Sequence, residues 1–129
     1  MIYQQFTFMH SFTMKDISVF THLVGDSHPL HQDTDYAKSK GFKTLVVPGM
    51  LTASLFSRII GNYLPRNNYF YISQSLVFHQ PVYPEEPLTV LATINQESLS
   101  TGILTLDTKI YQDKTLVLSG EARAKPFVK

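Results

Sequence analysis

The segment from Pro48 to Tyr63 constrains the fold most. Met50, Leu51, Ala53, Leu55, Phe56, Ile59 and Ile60 recur at helical spacing and leave almost no side of a helix polar. Such a helix has to be covered on most sides by other elements. Pro48-Gly49 opens it and Leu64-Pro65 ends it, because proline suits a first turn and breaks a later one. The cover follows in sequence. From Tyr69 the apolar period changes to two: Phe70, Ile72, Leu76 and Phe78, then Leu88, Val90, Ala92 and Ile94, then Leu104, Leu106 and Ile110. A last strand is expected from about Thr115 to Phe127. Turn formers at Pro81 to Pro87, Ser98 to Gly102 and Gln112 to Lys114 separate these runs. Four consecutive antiparallel strands behind a buried helix predict an α+β class, with the sheet wrapped round the helix.

The first third of the chain reads as one strand and two short helices. The strand covers Gln4 to Phe12. Thr13-Met14-Lys15-Asp16 has the form of a capping box, with Asp16 in place of the usual Glu. Ile17, Phe20, Leu23 and Val24 then follow at helical spacing, and Gly25 supplies a left-handed stop. The second helix spans about Thr34 to Lys40, with Asp33 as N-cap and Gly41 closing it. Pro29 keeps the link between the two helices non-helical.

At 129 residues the chain has the size of one domain, 1–129. With 43% hydrophobic and 16% charged residues it is globular rather than disordered. A net charge of +1 without a basic stripe argues against a nucleic-acid partner. The absence of cysteine excludes disulfides, thiolate metal sites and a cysteine nucleophile, and suits a cytoplasmic protein. Met1 to Thr13 lacks the basic start and small-residue cleavage site of a leader. No apolar run approaches the roughly 20 residues of a membrane helix, so no membrane partner is expected.

The residues able to do chemistry gather in Gly25-Asp26-Ser27-His28-Pro29-Leu30-His31. A carboxylate and an imidazole five residues apart converge if the loop turns back. Such a pair can share one water, one member taking its proton while the other orients it or donates. The same spacing also fits a turn capped by Asp26 with His31 at the surface. His28, His31 and Asp33 raise a zinc reading, but Asp33 is better used as an N-cap and no further ligand lies nearby, so no metal is expected. At Pro48-Gly49-Met50 a helix start presents unpaired N–H groups and the positive end of the helix dipole. The Gly49 N–H, unobstructed by a side chain, suits an oxyanion hole for a thioester carbonyl, although an ordinary proline-glycine entry into a buried helix is the simpler reading of these residues. Ser54, Ser57 and Arg58 are polar members of that helix, and no Asp or Glu occurs between Pro48 and Leu64.

Phe20-Thr21-His22-Leu23-Val24-Gly25-Asp26-Ser27-His28-Pro29-Leu30-His31-Gln32-Asp33, followed by Tyr36-Ala37, resembles the hydratase motif of MaoC-like, (R)-specific enoyl-CoA hydratases, usually Gly-Asp-x-Asn-Pro-Leu-His-x-Asp. Gly49-Met50-Leu51-Thr52-Ala53-Ser54-Leu55-Phe56-Ser57 and Ser73-Gln74-Ser75-Leu76-Val77-Phe78 also resemble the short bacterial members that supply monomers for polyhydroxyalkanoate. The likeness covers nearly the whole chain. It implies a hot-dog fold, an antiparallel sheet round one long helix, here about Pro48 to Tyr63. It implies a homodimer with the pantetheine arm along the subunit interface, and no cofactor or metal. It assigns Asp26 and His31 as the catalytic pair and the Gly49 N–H to the thioester carbonyl. Ser57 takes the place of a serine near the aspartate. The implied reaction adds water to a trans-2-enoyl thioester, on CoA first and acyl carrier protein second, or reverses that addition. A hot-dog thioesterase and a non-catalytic acyl-thioester-binding subunit are the alternatives. Two positions depart from the pattern: His28 replaces an asparagine beside the pair, where it bears on substrate binding, and Pro48 replaces a common histidine.

Overall fold

A computed structural model describes residues 4–127; residues 1–3 of the segment read as lacking a leader, and 128–129, lie outside it. Strand β1 (Gln5–His10) leads into helix α1 (Met14–Val24), a 3₁₀ turn at Pro29–His31 and helix α2 (Thr34–Ser39). The central helix comprises α3 (Gly49–Ala53), α4 (Phe56–Arg58) and a π-helical turn at Ile59–Tyr63. Strands β2 (Tyr69–Gln74), β3 (Val77–Phe78), β4 (Leu88–Glu97), β5 (Leu104–Gln112) and β6 (Thr115–Pro126) complete the chain. The sheet runs β1-β4-β5-β6-β2, with β3 paired to β6 and every pairing antiparallel.

The inward faces of the sheet meet the central helix. Leu88, Val90, Ile110 and Leu118 pack with Ala53, Leu55 and Phe56, and Ala92, Leu106, Ala122 and Ala124 pack with Ile59, Ile60 and Leu64. Residues from both edge strands, Phe6 and Phe8 of β1 and Tyr69 and Tyr71 of β2, reach this second cluster. A sheet whose two edges touch one helix is curled round it, as the sequence implied.

The central helix differs from the expected single rod. It starts at Gly49, with Pro48 as the extended residue before it. Ser54 and Leu55 keep right-handed helical dihedrals, so the path is continuous, but it tightens there: Ser57 N–H bonds the Ser54 carbonyl and Arg58 N–H that of Leu55. It then loosens, with Leu64 N–H reaching back to the Ile59 carbonyl. One face also stays uncovered, since Met50, Ser54, Ser57 and Gly61 are exposed.

Two apolar faces read from the pattern are placed differently. On α1 only Ile17 and Thr21 are buried, whereas Leu23 is 78% and Val24 57% exposed. The last turn of α1 meets an open hollow through Thr21 and His22, while Leu23 and Val24 face solvent, so the apolar period outruns the covered surface. On β2 the phase is reversed: Tyr69 and Tyr71 face the core, and Phe70 and Ile72 face out. Both sets are apolar, so alternation alone cannot tell inside from outside on an edge strand. Phe70 stacks instead on Phe127, ring centres 5.2 Å apart.

Where β2 ends and β3 begins, the chain crosses close over β6. A side chain on Gly120 would place its Cβ 1.8 Å from the Ser75 carbonyl oxygen, which only glycine avoids. Ser75 N–H bonds the Glu121 carbonyl and Glu121 N–H bonds Ser75 Oγ, both at 2.9 Å. Beneath, Gln74 Nε2 donates to the buried Thr108 Oγ1 at 3.0 Å, and Tyr71 OH donates to Gln74 Oε1 at 2.8 Å. Burial pushes the Tyr71 phenol up to about 12, which keeps it neutral as the donor.

Candidate active site

The loop between α1 and α2 is shaped by its own sequence. The capping box at Thr13 and Asp16 fixes the start of α1, and Gly25, at φ 79°, turns the chain left-handed at its end. The Asp26 N–H then bonds the Thr21 carbonyl at 2.9 Å, which anchors the first residue of the loop to the helix. Asp26 Oδ1 accepts from the His28 N–H at 3.1 Å, and His28 Nδ1 accepts from the Leu30 N–H at 3.0 Å, opening the 3₁₀ turn that carries His31. Asp33 Oδ1 caps α2 by accepting from the Tyr36 N–H, as expected.

These turns bring Asp26 and His31 together. Asp26 Oδ2 lies 3.7 Å from His31 Nε2. That is too long for a hydrogen bond between them and short enough for one water to bond both. The other ring nitrogen fixes the chemistry. His31 Nδ1 lies 2.7 Å from the Val46 carbonyl, which only accepts, so Nδ1 carries a proton and donates. In the neutral ring the Nε2 lone pair therefore faces Asp26. The His31 side chain is 14% exposed and that of Asp26 36% exposed, so the imidazole is the more firmly seated partner.

His31 stands in the wall between two hollows. One, of about 610 Å³, has a mixed lining that includes Ser18, Thr21, His22, Asp26 and Gln32. The other, of about 400 Å³, is mostly apolar, with Leu30, Phe42, Val46, Val47, Phe78 and Leu118 in its walls, and Gly49 opens onto it. Gly49 begins α3, so its N–H has no partner within the helix. A Cβ there would come within 2.7 Å of the Phe78 ring, so glycine allows the ring to lie across the helix start.

The other expected residues fall less centrally. The His28 side chain acts as a cap, in the manner of an asparagine, and lines neither hollow; its ring packs edge-on to Tyr36, centres 5.9 Å apart. Ser57 sits on the exposed face of the central helix, and it too lines neither hollow. The three side chains of the zinc reading are engaged as described, His28 and Asp33 as caps and His31 on Val46. Among the described residues no group of three or more ligating side chains is arranged for a metal. Sequence reasoning missed Val46, because it acts through its carbonyl and no side-chain pattern marks that role. It also missed Gln32, whose amide donates to the Asp26 carbonyl at 3.4 Å. No helix among the described residues is long and apolar enough to cross a membrane.

A family model described as a MaoC like domain matches residues 4–112. A mitochondrial 3-hydroxyacyl-[acyl-carrier-protein] dehydratase of Solanum lycopersicum is 40% identical over 117 residues, covering 88% of this chain and 70% of that protein. An (R)-specific enoyl-CoA hydratase of Aeromonas caviae is 36% identical over 115 residues, covering 88% of this chain and 86% of that protein. The solved structure of an (R)-hydratase from A. caviae, involved in PHA biosynthesis, superposes with a TM-score of 0.92 at 32% identity, covering 98% of this chain and 96% of that one. The curled sheet and central helix are thus those of the hot-dog hydratases.

Proposed function

This chain belongs to the MaoC-like family, and on that premise we propose that it is a hydro-lyase interconverting trans-2-enoyl and (R)-3-hydroxyacyl thioesters, with Asp26 and His31 as its catalytic pair. The observation that carries the assignment of the pair is the lone pair of His31 Nε2 held opposite the Asp26 carboxylate by the Val46 carbonyl. Both groups are acceptors. A water that donates one O–H to each keeps its own lone pairs free to meet C3 of the enoyl group. Asp26 takes the water's proton as the oxygen adds to C3, and that proton then passes to C2 on the same face. H and OH are added across the double bond and nothing is left over. Negative charge passes to the thioester oxygen during addition, and the Gly49 N–H at the helix start is the donor we assign to it. No cofactor or metal enters these steps.

The thioester arm is carried by CoA in this reading, with acyl carrier protein as the second possibility, in keeping with the names of the two kinds of relative. The working unit is a homodimer of one domain per chain. Its support is the outward pair Phe70 and Ile72 on edge strand β2, together with the uncovered helix face bearing Met50 and Ser57. Such a face would also account for Ser57, which lines neither hollow of its own chain. The lack of cysteine agrees with a cytoplasmic setting. A thioesterase is disfavoured because Asp26 is, among the described residues, the only carboxylate lining either hollow, and the central helix offers none.

Purified protein should bleach the ultraviolet absorbance of crotonyl-CoA without releasing free thiol. No bleaching with short and long enoyl-CoA or enoyl-carrier substrates would overturn the hydratase reading, and thiol release would replace it with a thioesterase. Sedimentation at micromolar concentration should give a dimer.

A further inference from the structure

A strip of side chains leads outward from His31 along α2. The His28 ring lies 6.2 Å from that of His31, the Tyr36 ring 5.9 Å from His28, and the Lys40 Nζ 5.4 Å from the centre of Tyr36. Lys38 follows on the exposed last turn of α2, and neither lysine has an ion-pair partner among the described residues. Of the acidic residues of this helix, Asp33 is occupied as the cap, and Asp35, one turn before Lys38, makes no ion pair with it. Lys43 is different: its ammonium is paired with Glu86 and lies over the Tyr83 ring, so its charge is already balanced. The strip is tied to the site a second time, because the Phe42 N–H bonds the Ala37 carbonyl of α2 while the Phe42 side chain lines the apolar hollow.

We propose that Lys38 and Lys40, at the outer end of the His28–Tyr36 strip, receive the phosphate groups of coenzyme A when the thioester lies at Asp26 and His31. The inference rests on the hydratase reading for the seat of the thioester. Coenzyme A carries its phosphates at the far end of a long arm, so their binding site must stand at a distance from the reacting carbons, on the surface, and be cationic. Two unpaired lysines in three residues meet that need. They form a spot and not a broad basic face, which suits a small nucleotide better than the acidic surface of a carrier protein. His28 belongs to the strip by its tautomer: with Nδ1 accepting from Leu30, the neutral ring carries its proton on Nε2 and can donate to a carbonyl of the arm.

The test compares thioester carriers with and without phosphate. Coenzyme A and pantetheine are titrated calorimetrically into the full chain at low ionic strength, for the wild type, Lys38→Glu/Lys40→Glu and, as a charge control elsewhere, Lys125→Glu. Coenzyme A should bind the wild type about tenfold more tightly than pantetheine. The double variant should lose most of that ratio, as should the wild type in about 0.3 M salt, while Lys125→Glu keeps it. In turnover, the double variant should raise KM for crotonyl-CoA relative to crotonyl-pantetheine and leave kcat unchanged. Equal affinity of the wild type for the two carriers, or a double variant that keeps the ratio, overturns the proposal. A loss seen only with a crotonyl-acyl carrier protein also overturns it, in favour of a protein-docking role. If neither thioester is turned over, the hydratase reading fails, and the binding ratio still decides the phosphate site.

Discussion

The 25–33 loop and the crossing of β2 over β6 are both held by hydrogen bonds that involve side chains, but the bonds differ in reach. In the loop most close over two to six residues, Asp26 to His28, His28 to Leu30, Asp33 to Tyr36 and Gln32 to Asp26, and His31 alone reaches farther, to Val46. At the crossing they join residues far apart in sequence, Gln74 to Thr108 and Ser75 to Glu121, around a glycine that lies against another main chain. The loop is half exposed and sets most of its own turns; the crossing, with Ser75 and Glu121 exposed above the buried Thr108, exists only when the sheet has closed. The proposed chemistry therefore sits where changes in side chain cost the fold little, and closure sits where they would cost that chemistry little.

Substitutions at four positions test that division. Asp26→Asn should lower kcat by roughly 10²–10⁴ while the melting temperature stays within a degree or two, because the amide preserves the short loop bonds and removes the base. A parallel fall in stability would mean that the loop depends on the charge. Gly120→Ala should do the reverse. A Cβ 1.8 Å from a carbonyl oxygen forces the strands apart, so denaturant unfolding should show a loss of about 3 kcal/mol or more, with turnover per folded molecule little changed. Tyr71→Phe is expected to cost about 1 kcal/mol at neutral pH through the lost bond to Gln74. It should also change the alkaline limb. The buried phenol titrates at about 12 against 10.0 in the unfolded chain, so wild-type stability is intact below pH 10 and falls as pH rises towards 12. The phenylalanine variant should lose this particular contribution to the slope. Smallest is His28→Asn, which keeps an acceptor for the Leu30 N–H and should move stability by less than about 0.5 kcal/mol, whereas His28→Ala should cost about 1 kcal/mol.

The same contrast explains what could be read from the sequence. The capping box, the glycine stop at 25, the Asp33 cap and the pairing of Asp26 with His31 are local events, and each leaves a local signature. The inward residues of β4 and β5 were also legible, since strict alternation meets a single buried face. The outward turn of Phe70 and Ile72 was not, because an edge strand with apolar residues on both faces has no internal cue to its phase. Nor were the tightening and loosening of the central helix, which come from packing within a closed sheet. Within the site, the least legible contributor was Val46, whose part is played by a peptide group that every residue possesses.

That peptide group has a consequence for how such a site can change over time. The segment between α2 and the central helix steadies the imidazole through the Val46 carbonyl, and it leads within three residues to the Gly49 N–H. The Val46 N–H is fixed in turn on Leu30, and the Val47 N–H on Val82. The imidazole of the proposed pair and the proposed carbonyl donor are thus coupled by main chain alone, while Val46 and Val47 line the apolar hollow. A lineage, or a library, can exchange side chains along that hollow, and so change its shape, and leave these main-chain bonds intact.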